Sequence, residues 1–158
     1  MATLAQILDK TAPKVLYHGS AFKQDELMPG FRHSGKLVTW DKYESNAFLY
    51  ATTEKEQAKL LGIMSALEKK YPLKHTKFDV NQKTIALTFD GRPPHIDDIK
   101  MLSVYLYTIP LTEQWNRVNN PVNGIDTEYK TSATITELLD VQTLDVPGIL
   151  TDYSITFK

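Results

Sequence analysis

Apolar and polar positions alternate over two short stretches, Val15-Leu16-Tyr17-His18-Gly19-Ser20 and Phe48-Leu49-Tyr50-Ala51-Thr52-Thr53. Alternation with a period of two predicts half-buried β-strands. The second runs into a different pattern. Ala58, Leu61, Met64 and Leu67, with Leu60 and Ile63 beside them, form an apolar stripe at helical spacing. Thr53 and Glu56 have the spacing of a capping box, so a helix is predicted from residue 53 to about residue 70, stopping before Pro72. A shorter stripe at Leu4, Ile7 and Leu8 predicts a packing helix over 3–10.

Beyond Pro72 the two-residue period returns. Residues 76–80 and 84–89 predict a hairpin across Asn81-Gln82-Lys83, and 103–109 is the clearest strand in the chain. Residues 95–101 predict a helical turn or two with Ile96, Ile99 and Met101 inward, and 111–118 a short helix carrying Trp115. Strands are expected at 132–136, 139–144 and 149–157. The stretch 21–46 carries the turn signal Pro29-Gly30 and one apolar patch, Leu37-Val38-Thr39-Trp40, and is expected to be a long loop. The whole predicts one α+β domain over 1–158, dominated by antiparallel sheet, with helices mostly in the N-terminal half.

Composition narrows the functional classes. A length of 158 residues suffices for one core, and 42% hydrophobic with 23% charged residues is globular. A net charge of −1 gives no electrostatic argument for nucleic acid. No apolar run reaches the length of a membrane span and the N-terminus lacks a signal-peptide plan, so no membrane partner and a cytoplasmic location are expected. The absence of cysteine removes disulfides and thiolate chemistry. Four scattered histidines offer no pair at helical ligand spacing, and no metal is expected.

Leu16-Tyr17-His18-Gly19-Ser20, followed by Leu49-Tyr50-Ala51-Thr52 opening a helix and later by Glu128-Tyr129-Lys130-Thr131, resembles the core of the ADP-ribosyltransferase superfamily in its His-Tyr-Glu branch. That branch includes the poly(ADP-ribose) polymerases and diphtheria-type toxins. The resemblance implies split antiparallel sheets around an NAD cleft, NAD as co-substrate, and transfer of ADP-ribose to a protein or nucleic-acid acceptor that the sequence leaves undetermined. It implies catalytic roles for Glu128, His18 and Tyr50, and cofactor binding by His18, Gly19, Ser20, Tyr50 and Thr52. Glu128 would stabilise the oxocarbenium-like transition state and hydrogen-bond the ribose 2′-hydroxyl. His18 would donate to a ribose hydroxyl of the adenosine half, the Gly19 backbone would pair with the nicotinamide carboxamide, and the Tyr50 ring would lie against the nicotinamide.

At one position the chain departs from this pattern. Where the family has a second stacking tyrosine, eleven residues after the first, this chain has Leu61. Phe48 or Tyr43 is then a candidate substitute. Asp126 is the nearest rival to Glu128, and Arg32, Lys36 and Arg92 are candidate pyrophosphate contacts. Two other readings stay open. One is a catalytically inactive relative that binds a nucleotide or a protein. The other is similar to the RNA 2′-phosphotransferases, whose sites are rich in arginine, whereas Arg32, Arg92 and Arg117 are the only arginines here.

Overall fold

A computed structural model describes residues 15–29, 31–33, 36–38, 48–71, 73–118 and 128–157. Six strands form the main sheet: β1 (Val15–Ser20), β4 (Leu49–Thr52), β7 (Tyr105–Pro110), β8 (Asn116–Arg117), β9 (Glu128–Thr131) and β10 (Asp140–Thr143). Their order is β10-β7-β1-β4-β9-β8, with every neighbouring pair antiparallel. Strands β5 (Leu73–Asp79), β6 (Thr84–Phe89) and β11 (Ser154–Phe157) form a second sheet, in which β11 pairs parallel to β6. Strands β2 (Phe31–His33) and β3 (Lys36–Val38) pair as a small hairpin.

The amphipathic stripe becomes helix α1 (Lys55–Lys70), which lies between the two sheets. Its buried Ala58, Leu60, Ile63, Met64 and Leu67 meet Ile85, Leu87 and Phe89 of β6 together with Leu106 of β7 and Val104 just before that strand. The opposite face of the main sheet carries a second core of Leu16, Leu49, Ala51, Tyr107, Ile109 and Trp115, closed by Leu27 and Ile135, which exchange two backbone hydrogen bonds. Alternation along each strand separates the two cores. Tyr17 and Gly19 face α1, whereas Leu16 and Tyr107 face away from it.

The α+β class, the antiparallel majority, the long helix and the 76–89 hairpin all follow the sequence pattern, but several elements differ from expectation. Glu54, not Thr53, caps α1, and the Thr52 hydroxyl accepts from Glu54 N–H at 3.1 Å instead of a capping box forming. The expected loop at 21–46 contains the β2–β3 hairpin and the Leu27 bridge. Trp115 sits in a turn before β8 rather than on a helix, because its ring is drawn into the second core. Helix α2 (Ile96–Lys100) buries Ile99 but leaves Met101 80% exposed. Of the strand expected at 149–157, residues 149–151 instead end helix α3 (Val146–Thr151), with the Asp145 carboxylate accepting from Gly148 N–H at its N-terminus and Pro147 in its first turn, and 154–157 form β11. Residues 132–136 supply only the Ile135 bridge. Two of the three described helices thus fall in the second half of the chain, where the expected order had put few. The predicted helix over 3–10, the side chains of the Leu37–Trp40 patch, and Tyr43 lie outside the described residues.

Candidate functional site

Three strands adjacent in space, β1, β4 and β9, carry His18, Tyr50 and Glu128. Between β4 and β9 the ladder is regular, pairing Tyr50 with Lys130 and Thr52 with Glu128. Directly paired residues share a face, so Tyr50, Thr52, Glu128 and Lys130 all stand on the α1 side of the sheet. Between β1 and β4 the ladder makes one pairing, Tyr17 with Thr52, and then stops.

The interrupted ladder leaves backbone groups turned into a gap. On the β10 side of β7, Leu139 N–H donates to Thr108 O at 2.8 Å and Leu144 N–H to Val104 O at 2.9 Å. Successive residues of a strand direct their N–H and C=O to opposite neighbours, so Tyr105 and Tyr107 direct theirs to β1. His18 is paired with Tyr107, which turns the backbone of His18 to β7 and that of Gly19 toward β4. Continuing the β1–β4 register would set Gly19 opposite Tyr50. Instead the His18 imidazole reaches across, and its Nδ1 lies 2.7 Å from Tyr50 O. A side chain takes the acceptor that the next ladder bond would have used, and the Gly19 amide is left at the gap.

That contact also fixes the chemistry of His18. A carbonyl oxygen only accepts, so Nδ1–H is the donor. Burial holds the imidazole below its ordinary pKa, against the opposing effect of the Tyr50 carbonyl, and keeps it neutral at pH 7. Nε2 therefore presents a lone pair. The expectation that His18 donates to a ligand hydroxyl is reversed: a hydroxyl would donate to it. The ring leaves β1 on the face of the second core, 6.2 Å from the Tyr107 ring, so it meets Tyr50 through the backbone rather than from the Glu128 side.

Gly19 has a packing reason to be glycine. A Cβ there would collide with Ala58 O and would meet Gly62 N at 2.7 Å. Strand and helix touch backbone to backbone at this point. The side of Gly19 that would carry a side chain is closed by α1, and only its edge in the sheet plane is open to the gap.

Glu128 is 4% exposed, and its Oε2 has no hydrogen-bond partner among the described residues. Three other buried polar side-chain atoms share that condition, Gln57 Oε1, Trp115 Nε1 and the Tyr153 hydroxyl, but Glu128 alone among the four can carry a negative charge near neutral pH. Desolvation pushes its carboxyl up to about 7, with the Lys130 ammonium opposing the rise. A carboxylate poised near neutrality in a buried position is the usual condition of a working acid or base.

The remaining residues divide between site and scaffold. Tyr50 is half-buried and meets Phe48 edge-on, with ring centroids 6.4 Å apart and planes at 63°. Phe48 therefore extends the aromatic surface without forming a parallel sandwich with Tyr50. Leu61 is half-buried on α1, outside both buried cores. The Ser20 hydroxyl closes the turn after β1 by accepting from Phe22 N–H at 3.1 Å, and Thr52 is buried under the start of α1. Arg92 is exposed in the turn before α2, and Arg117 pairs with Tyr129, which places it on the opposite face from Glu128. Asp126 and the side chains of Arg32 and Lys36 lie outside the described residues.

Two residues emerge that the sequence pattern did not single out. The Tyr107 hydroxyl donates to Phe22 O and accepts from Gln24 N–H, both at 2.7 Å, fixing the chain that leaves β1 just after the His18-Gly19-Ser20 segment. Burial is the main reason its phenol lies above the usual value. Lys130 holds its Nζ 4.2 Å from the centroid of Phe48. Both look like ordinary strand residues in sequence, and only their partners distinguish them. Among the described residues no group of three or more His, Asp or Glu could hold a metal ion, and no helix is long and apolar enough to cross a membrane.

Comparison with protein-family models, curated proteins and solved structures finds no match to this chain.

Proposed function

We propose that the chain is an NAD-dependent mono-ADP-ribosyltransferase acting at the gap between β1 and β4. The observation that carries this reading is the coincidence, on adjacent strands, of a glycine backbone at the edge of an interrupted ladder, a half-buried tyrosine and a buried carboxylate whose Oε2 has no hydrogen-bond partner among the described residues. A carboxamide needs one donor and one acceptor side by side, and the N–H and C=O of Gly19 offer that pair. Tyr50 would cover the nicotinamide from one side. Nε2 of His18 would accept from a ribose hydroxyl.

Glu128 would act as an anion. As the C–N bond to nicotinamide breaks, the electron pair leaves on the ring and positive charge grows on the ribose. A carboxylate preplaced in a dry site stabilises that charge strongly. The acceptor nucleophile then bonds to the same carbon, and its proton passes to Glu128 or to solvent. Because the anionic form is required and the carboxyl titrates at about 7, nicotinamide release should rise with pH through that value and level off above it.

Incubation with NAD labelled in the adenosine half, together with a cell lysate, tests the proposal. Label on protein or nucleic acid is the expected outcome, while free nicotinamide without labelled acceptor would mark a glycohydrolase. NAD binding with no turnover would favour a second reading, a silent nucleotide-binding domain. Leu61 is the residue that supports that reading, since it offers no aromatic face opposite Tyr50.

A further inference from the structure

We propose that Tyr107 is a positioning residue of the β1–β4 gap: its ring backs the His18 imidazole and its hydroxyl ties down the chain that leaves β1, so one buried side chain holds both the imidazole and one lip of the opening in place. The inference rests on the reading of that gap as the NAD site, and it concerns a residue to which that reading gives no role.

The antiparallel register defines the lips. Tyr17 pairs with Thr52 and the ladder then stops, so the gap is bounded by residues 18–20 of β1 and 49–51 of β4. Its lips are therefore the chain that leaves β1 after Ser20 and the chain that enters β4 at Leu49. A segment leaving a strand is ordinarily among the more mobile parts of a fold. Here it is tied at both ends: Phe22 N–H donates to Ser20 Oγ at 3.1 Å, and Leu27 exchanges two backbone hydrogen bonds with Ile135. Between these ties the Tyr107 hydroxyl serves as donor and acceptor at once, donating to Phe22 O and accepting from Gln24 N–H, each at 2.7 Å. From α1, Lys69 adds an anchor with its Nζ 4.4 Å from the centroid of the Phe22 ring.

Tyr107 reaches this lip from beside His18. The two are directly paired in the β7–β1 ladder, so their side chains stand on one face of the sheet, with ring centroids 6.2 Å apart and planes at 50°. Tyr107 is 0% exposed and belongs to the second core with Leu16, Leu49, Ile109 and Trp115. A ring wedged in a packed core yields little, and it backs the imidazole whose Nδ1 meets Tyr50 O at 2.7 Å. Moving the lip would break buried hydrogen bonds, which costs more than losing the same bonds in water. The lip and the imidazole are thus fixed to one residue of β7, four and six residues of chain apart from each other at most.

The experiment measures the Kd of NAD by calorimetry, the kcat of nicotinamide release and the urea midpoint for the wild type, Tyr107→Phe and Ile85→Val. Tyr107→Phe keeps the ring and removes the hydroxyl. Its Kd should rise roughly tenfold while kcat at saturating NAD stays within about twofold, because Glu128 is untouched. Ile85→Val loosens the first core, away from the gap, and should lower the urea midpoint without moving Kd. A Tyr107→Phe protein with a lowered midpoint and the wild-type Kd overturns the proposal, since the hydroxyl would then serve stability alone. So does an equal rise in Kd for Ile85→Val, or a loss in kcat with Kd unchanged. If the wild type binds no NAD, the transferase reading fails by itself, and NMR of the free proteins still decides the role of Tyr107. Movement of the Gly19 amide and His18 ring-nitrogen signals together with Gln24 in Tyr107→Phe supports it, and a change confined to residues 22–24 refutes it.

Discussion

Glu128 is the residue at which stability and the proposed activity pull in opposite directions. Its carboxyl titrates near the ordinary carboxylate value when the chain is unfolded and at about 7 when folded. The folded state therefore binds the proton more tightly, and the stability this contributes is complete below about pH 4.5 and is lost as pH rises through 7. The difference amounts to about 3 kcal/mol at most, less where solvent reaches the group. Glu128→Gln keeps the shape and removes the charge. It should raise the melting temperature by several degrees at pH 8, with the gain vanishing near pH 4.5, while nicotinamide release falls by about a hundredfold or more and NAD binding persists. Unchanged turnover in this variant would exclude Glu128 as the catalytic anion.

His18 shows how little a residue type says about its hydrogen-bonding sense. A histidine at a strand end before glycine is readable as a site candidate, but whether it donates or accepts depends on what its other nitrogen meets. Tyr50 O fixes Nδ1 as the donor. His18→Gln retains a donor for that carbonyl and should bind NAD more tightly than His18→Leu, which removes the donor that Nδ1 supplies to Tyr50 O. Calorimetric titration should give a difference of about five- to tenfold.

At the scale of elements, β1 and α1 touch backbone to backbone at Gly19. Ala58 O and Gly62 N approach Gly19 so closely that an added methyl meets backbone, which cannot rotate away. Gly19→Ala should cost about 3 kcal/mol, seen as a lowered urea midpoint, because the helix must lift from the strand. Gly62 stands at the same crossing, and there a Cβ would meet the Val104 side chain at 2.8 Å as well as the Gly19 backbone. Strand and helix patterns made β1, β4 and α1 legible, since each buries one face and leaves the other polar or half-exposed. Trp115 and residues 149–151 depart from the pattern for the complementary reason. A large apolar residue signals burial without saying which backbone form delivers it, and the Asp145 cap outweighed the apolar residues that followed it.

For the whole molecule, the two cores on either side of the main sheet hold β1 and β4 in place while the ladder between them stays incomplete. A ligand filling that gap binds the folded chain and not the unfolded one. NAD at a hundred times its dissociation constant should therefore add about 2.7 kcal/mol, or roughly 5–10 °C in melting temperature. Differential scanning fluorimetry with and without NAD checks this, and the absence of any shift at millimolar NAD would count against the gap as its site.

The sequence by itself determined the α+β class, the long helix after β4, and the kinds of side chain available near the gap: imidazole, phenol, carboxylate and ammonium. Those follow from local periodicity and residue chemistry, which require no knowledge of distant partners. Only the tertiary structure decided that the β1–β4 ladder stops after one pairing, that His18 presents a lone pair, that Glu128 is dry enough to titrate near neutrality, and that Lys130 is held over Phe48. Each of those depends on groups dozens of residues away or on a neighbouring strand, and a hydrogen-bonding sense or a pKa belongs to an environment rather than to a residue.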